Sequence, residues 1–248
     1  MTAEIRIVAL ADSLSLPRSV EGDDYQMAIR WEETWPHRLQ AALPKSEVIN
    51  CGARSRTADS ILGEDFREHI LFKRPDILII QVGIVDCSPR IFTKREKLLL
   101  NLPIIPHRVR GWIIQFRKKR RAEITKRDPL RKVYTPPRQF EECLQKFSQY
   151  LKKCSWPMKV LVLPILSDAD VMERKSPGIQ SNLVIYNGIL EQFAMTVNGE
   201  WLQPFNFSEM TAAERASFFW EDGYHLSGKG HQALAEQLTK CILKRSHG

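Results

Sequence analysis

Three side chains in this sequence have the types and spacing that nucleophilic catalysis uses. Ser13 follows the apolar run Ile5-Arg6-Ile7-Val8-Ala9-Leu10-Ala11 and an acidic residue, Asp12. Near the other end, Asp222 and His225 stand three apart in Glu221-Asp222-Gly223-Tyr224-His225-Leu226-Ser227. On a loop, that spacing lets the carboxylate accept from the imidazole Nδ1–H and leaves Nε2 as the base for a serine hydroxyl. Plainer uses exist for the same residues, since a serine after an aspartate more often forms a turn or caps a helix.

The elements around these residues decide how they are presented. A short apolar run with β-branched residues reads as a strand buried on both faces of a parallel sheet, which puts Ser13 at its carboxyl end, where α/β sheets build ligand sites. A second strand is expected over 47–51 and a third, continuously apolar, over 76–82. A fourth covers 159–163 and a fifth 201–204. Between them the sequence predicts helices over about 25–43, 58–72, 139–152, 182–195 and 228–243, the last with Ser227 as N-cap. Trp31 and Trp35, four apart in the first helix, are expected to pack as a pair. Residues 169–181 read as a loop over the site, and 209–219 as a loop with a helical turn or two. His69 is expected at the surface, and His231 is expected to cap or face solvent.

At this point the residues carry a resemblance. The chain resembles the SGNH hydrolases, also called GDSL-type esterases and lipases, in which the nucleophile lies in a Gly-Asp-Ser block and its partners in a terminal Asp-x-x-His block. Ala11-Asp12-Ser13 and Asp222-Gly223-Tyr224-His225 fall on those blocks. Asn50-Cys51-Gly52 resembles the second block, whose glycine lends an N–H to the oxyanion hole. Gly83-Ile84-Val85-Asp86 matches the third, Gly-x-Asn-Asp, only in part: Val85 stands where the family has the asparagine donor. The resemblance implies a three-layer α/β/α sandwich with a five-stranded parallel, flavodoxin-like sheet of order 2-1-3-4-5. It also implies Ser13 as nucleophile, His225 as base, Asp222 as its orienting acid, and the N–H groups of Ser13 and Gly52 as oxyanion donors. Asp12, Arg54, Asp86 and Arg90 are the candidate substrate contacts. Arg54 and Arg90 are also the cations that could replace the lost donor, or bind a substrate carboxylate or phosphate.

The serine and its base must meet, so residues 1–248 are read as one domain, with 95–138 as a basic insertion before the fourth strand. Residues 104–138 hold twelve Lys or Arg against two acids, a net +10 within a chain whose total is +8. Trp112, Ile113, Ile114 and Phe116 adjoin the run Arg117 to Arg121, so the segment reads as an amphipathic basic helix or hairpin. As a lid or docking patch, residues 108–132 could meet an acidic glycan or an anionic membrane surface. Nucleic acid is disfavoured because the aromatics form one apolar cluster rather than interleaved stacking positions.

Five cysteines, odd in number and without Cys-x-x-Cys spacing, argue against a disulfide framework or a zinc site, and no metal or cofactor is expected. Met1-Thr2-Ala3-Glu4 lacks a basic n-region and no apolar run approaches a membrane span, so the expected location is cytoplasmic, with the inner membrane face as a docking option. The expected activity is hydrolysis of an acyl ester, removing an O-acyl (acetyl) group from a carbohydrate or a small anionic substrate. The alternatives are an O-acyltransferase of surface polysaccharide biosynthesis, with a sugar hydroxyl in place of water, and a non-catalytic binding module.

Overall fold

The computed structural model describes residues 5–20, 23–127, 129–130 and 132–244. The expectations for Met1–Glu4, and for Asp128 and Arg131 of the basic segment, lie outside the described residues.

Five parallel strands form the central sheet: β1 (Ile5–Ala11), β4 (Ser46–Asn50), β5 (Ile77–Gln81), β6 (Lys159–Val162) and β7 (Glu200–Trp201). Their order is β4-β1-β5-β6-β7, so β1 lies between β4 and β5 and the chain reverses direction of travel beside it. Taken in sequence among the parallel strands, this is the expected 2-1-3-4-5. Alternate residues of β1 feed two cores. Val8 and Leu10 join one with Phe140, Phe147 and Tyr186, while Ile7, Ala9 and Ala11 join the other with Trp35, Leu39 and Leu234. A strand buried on both faces needs an unbroken apolar run, and β1 supplies one.

The helices of more than one turn are α1 (Trp35–Ala42), α2 (Lys94–Leu100), α3 (His107–Lys119), α4 (Arg121–Arg127), α5 (Pro137–Lys152), α6 (Ala169–Lys175), α7 (Ile179–Thr196), α8 (Ala212–Ser217) and α9 (Gly228–Leu243), and Ile84–Cys87 makes a single turn after β5. α5 buries Phe140, Cys143, Leu144, Phe147 and Leu151, a stripe at helical spacing. α9 starts where Ser227 Oγ accepts from Gly230 N–H at 3.1 Å. All five cysteines are free thiols. No helix of the described residues is long and apolar enough to cross a membrane.

Several segments differ from the sequence-based expectation. The first helix begins ten residues late, because Asp23–Ile29 is a strand, β3, paired antiparallel with β2 (Arg18–Val20). Thr34 and Pro36 then start α1, as a proline in the first turn favours. Trp31 lies outside the helix and is 49% exposed, while Trp35 is fully buried and donates from Nε1 to Gln81 Oε1 at 3.0 Å, so the two do not share one environment. Residues 58–72 contain only short helical turns, at Glu64–Phe66 and Arg67–Leu71. His231 is buried rather than solvent-facing. Its Nδ1 accepts from Trp35 N–H at 3.1 Å, tying α9 to the start of α1. The span 169–181 is not a loop: Asp168 accepts from the N–H groups of Asp170 and Val171, both at 3.1 Å, and so caps α6.

The basic segment folds as α2, α3 and α4. α3 buries none of its side chains and stacks Trp112 on Phe116 at 5.5 Å on its own surface.

Candidate active site

The carboxyl end of β1 turns sharply into a single 3₁₀ turn, Ser13–Ser15. Asp12 Oδ1 accepts from Leu14 N–H at 2.9 Å and so fixes that turn. Asp12 itself is 1% exposed. Burial drives its carboxyl up from the ordinary 3.8 to about 7, with the nearby Asp86 charge adding to the rise.

From the other end of the chain, the loop between α8 and α9 brings Asp222 and His225. The loop is wound by Asp222, whose Oδ1 accepts from the backbone N–H groups of Tyr224 (3.2 Å) and His225 (3.0 Å). This leaves Oδ2 for the imidazole, and His225 Nδ1 lies 2.7 Å from it. Gly223, at φ +82°, makes the turn possible, and a Cβ there would also meet Val171 at 2.9 Å. On its far side the ring meets the serine: His225 Nε2 is 3.2 Å from Ser13 Oγ. The structure therefore brings together Ser13, His225 and Asp222, residues separated by more than two hundred positions. Burial raises the Asp222 carboxyl, but the hydrogen bond and charge of His225, with the two loop amides, outweigh it and hold the group below its usual range.

The sequence gives no sign of Arg18. Its guanidinium, carried on β2, forms an ion pair with Asp222 through Nη2 to Oδ2 at 2.7 Å, and its Nη1 lies against His225 Nδ1. The carboxylate oxygen that holds the imidazole is thus shared with a cation. Only the fold of the β2–β3 hairpin reveals this, because nothing in the spacing from Ser13 to Arg18 distinguishes the residue.

Ser13 opens on a cavity of about 650 Å³, a size suited to a small ligand. Arg18, Arg54, Arg90, Arg121 and Lys175 line it together with Val85, Ser88, Ser176, Asp222 and Tyr224. Two of the candidate substrate contacts, Arg54 and Arg90, thus face the cavity. The other two do not. Asp12 caps the serine turn, and Asp86, fully buried, accepts Ala58 N–H with both oxygens at 3.1 Å.

Gly52 is corrected as well. Its N–H donates to Asn50 Oδ1 at 2.9 Å, the closed turn that an Asn makes two residues on, and so is not aimed at the cavity. A side chain there is barred by Ser15, whose Oγ would be 2.2 Å from the added Cβ. Val85 reaches the cavity but brings no polar group. Arg56 was also missed. It is almost wholly buried, paired with Asp65 at 3.0 Å, and donates to Ala11 O at 2.7 Å and to Cys51 O, tying together the ends of β1 and β4 that frame the site.

The basic segment reaches the cavity only in part. Arg121, the first residue of α4, lines it and donates from Nε (3.0 Å) and Nη2 (2.6 Å) to Ser176 Oγ. α3 contributes instead to a second cavity of about 380 Å³, lined by Arg110 and Ile114 together with Lys97, Tyr134 and the same Arg90 and Arg121.

The parallel sheet, with helices around it and a serine, an imidazole and a carboxylate close together at its carboxyl edge, makes this an α/β protein. The GDSL-like Lipase/Acylhydrolase family model matches residues 20–233, and the chain belongs to that family. Solved structures agree on the fold. The lipase/acylhydrolase from Enterococcus faecalis is 15% identical, with a TM-score of 0.63 over 97% of this chain and 96% of that one. An acetylxylan esterase from Geobacillus stearothermophilus is 14% identical, with a TM-score of 0.58 over 98% and 96%. A carbohydrate acetylesterase family member from Sinorhizobium meliloti is 15% identical, with a TM-score of 0.57 over 97% and 98%. A search of curated proteins finds no match.

Proposed function

We propose that this protein is a serine esterase that removes a small acyl group, acetyl foremost, from a hydroxyl of a carbohydrate. The observation that carries the reading is the continuous chain Ser13 Oγ, His225 Nε2, His225 Nδ1, Asp222 Oδ2, at 3.2 and 2.7 Å, opening on a cavity. Carbohydrate as substrate is supported by two fold neighbours, an acetylxylan esterase and a carbohydrate acetylesterase family member.

In this mechanism Ser13 Oγ bonds to the ester carbonyl carbon while its proton passes to His225 Nε2. Asp222 holds the ring with Nδ1–H toward itself and stabilises the imidazolium. The carbon–oxygen bond to the sugar breaks, and the proton on Nε2 goes to the leaving oxygen. Water then attacks the acylated serine and gives a proton to His225, which returns it to Ser13 Oγ as the carboxylic acid leaves. The carbonyl oxygen gathers charge at both additions, and Ser13 N–H, which has no acceptor among the described residues, is the donor beside it. With Gly52 turned to Asn50 and valine at 85, this oxyanion hole lacks two of the family's donors. One such loss costs about 2.7–4 kcal/mol of transition-state stabilisation, so turnover is slow.

The test is hydrolysis of 4-nitrophenyl acetate together with covalent labelling by a serine-directed fluorophosphonate. Label on Ser13, and loss of both label and turnover in Ser13→Ala, is the expected result. A folded wild type that neither turns over nor takes the label would sink the esterase reading.

A further inference from the structure

Five cations line the cavity beside Ser13, and among the described residues only Arg18 of these has a carboxylate partner. The others hold neutral oxygens: Arg54 donates to Pro17 O at 3.2 Å, Arg90 to Val85 O at 3.1 Å, Arg121 to Ser176 Oγ and Lys175 to Glu221 O at 2.7 Å. Away from the cavity some arginines pair with acids, as Arg6 does with Glu47 and Arg56 with Asp65, while others such as Arg38, Arg74 and Arg120 rest on neutral oxygens or rings. What marks the cavity is its lining: five cations face it with one carboxylate among the described residues, Asp222.

Arg90 and Arg121 are the closest to a built anion site. Arg90 is held in place, its guanidinium lying over the Tyr134 ring at 4.6 Å, yet its Nε is buried with no hydrogen-bond partner. Arg121 is oriented by two donations to one hydroxyl. Burial and the like charge of Arg90 both press the Arg121 guanidinium toward losing its proton, the situation that a bound anion reverses. Two planar guanidinium groups lining one cavity suit a carboxylate or phosphate, which accepts from such groups in fork geometry.

We propose that the ester taken by this cavity carries an anionic oxygen group on its alcohol part, a sugar carboxylate or phosphate, and that Arg90 and Arg121 hold that group while Ser13 attacks the acyl carbon. This rests on the esterase reading and narrows its substrate to an O-acylated anionic sugar. Both arginines also line the second cavity, toward α3, so an anionic glycan chain has a cationic path leading away from the reacting ester. Arg18 and Lys175 add positive field at the cavity wall, which raises the local concentration of such a substrate.

The decisive comparison uses three mono-acetylated sugars that differ only at C6: methyl glucoside, methyl glucuronoside and methyl glucoside 6-phosphate. The wild type is expected to favour at least one anionic ester over the neutral one by about tenfold or more in kcat/KM, with the advantage shrinking as salt is added. Whichever of the two is faster identifies the anion. The ratio of anionic to neutral kcat/KM should collapse in Arg90→Gln and Arg121→Gln, and should survive Lys118→Gln with Lys119→Gln, two exposed changes on α3 that alter net charge alone. Equal kcat/KM for the three esters in the wild type, or a ratio that both arginine variants retain, overturns the proposal. Should Ser13 prove inert to the neutral ester and to fluorophosphonate, the esterase reading fails separately. Calorimetry on Ser13→Ala then decides the anion site. Heat of binding for inorganic phosphate or unacetylated methyl glucuronoside, lost in Arg121→Gln, upholds the site, and absence of heat in Ser13→Ala refutes it.

Discussion

Asp12→Asn should change how stability depends on pH by an amount that the structure sets. The Asp12 carboxyl is buried at the end of β1 and pushed to about 7, against 3.8 when exposed. A carboxyl whose pKa is raised on folding contributes stability that is fully present below 3.8 and is lost as pH rises through 7. Between pH 5 and pH 8 that loss is on the order of 2–3 kcal/mol. His231 acts in the opposite sense. Burial between α9 and the start of α1, with the charge of Arg38, lowers it from 6.5 to about 3. Its contribution is present above 6.5 and is lost as pH falls toward 3, about 2 kcal/mol between pH 8 and pH 5. The two terms nearly cancel in the wild type, whose stability should vary little over this range on their account. Asparagine keeps the oxygen that accepts from Leu14 N–H but has no proton to bind, so the variant should lose stability on acidification as the His231 term acts alone. Urea unfolding followed by tryptophan fluorescence at pH 5, 6.5 and 8 measures this. The stability difference between wild type and variant should shift by roughly 2–3 kcal/mol across the range. A difference that stays constant would show that Asp12 ionises normally and that the turn bearing Ser13 is not closed off from water.

Gly52→Ala places a methyl group 2.2 Å from Ser15 Oγ, which bonds Asn50, so it should cost about 1–3 kcal/mol in urea unfolding and slow fluorophosphonate labelling of Ser13. An unchanged urea midpoint would mean that the loop has room. Val85→Asn introduces an amide at a cavity position where the family has one, and should raise kcat on 4-nitrophenyl acetate by about a hundredfold. No gain would show that the side chain does not face the oxyanion. Arg18→Gln removes the cation that shares Asp222 Oδ2 with His225 and should raise kcat on the same neutral ester, with each tenfold corresponding to about 1.4 kcal/mol. A fall of tenfold or more would make Arg18 a necessary support for Asp222.

What could be read in the sequence was what local pattern dictates. The apolar, β-branched run of β1 reads as a buried strand, and the stripe of α5 reads as one face of a helix. Asp222, three residues before His225, winds its own loop by accepting from the backbone, so the pair keeps its geometry wherever the loop is placed. The errors fall where a tertiary partner decides. Tyr25 and Ile29 are four apart, as are Trp31 and Trp35, yet pairing with Arg18–Val20 makes 23–29 a strand. His231 looks like a surface residue until α9 is laid against the N–H of Trp35. Two misses had a local signal. Asp168 before Ala169-Asp170-Val171 is a helix cap, and Asn50-x-Gly52 is a turn closed by the asparagine side chain, which takes the glycine N–H that the family motif assigns to the oxyanion. Arg18 had none, because its role is defined by two residues at the other end of the chain.

The position of Arg18 gives the cavity charge a meaning beyond attraction. For His225 to take the Ser13 proton, Nε2 must carry a lone pair, and Nδ1–H must then point at Asp222. A guanidinium N–H directed at Nδ1 needs a lone pair on that nitrogen, and so favours the tautomer with hydrogen on Nε2, which donates to Ser13 Oγ instead of accepting from it. The two arrangements exclude each other on one ring. An anion entering beside Ser13 offers Arg18 a second acceptor, and every hydrogen bond it draws away leaves Asp222 Oδ2 and Nδ1 to each other. The substrate charge that Arg90 and Arg121 are placed to hold would thus also help set the imidazole in its basic form, which couples recognition of the alcohol part to activation of the serine.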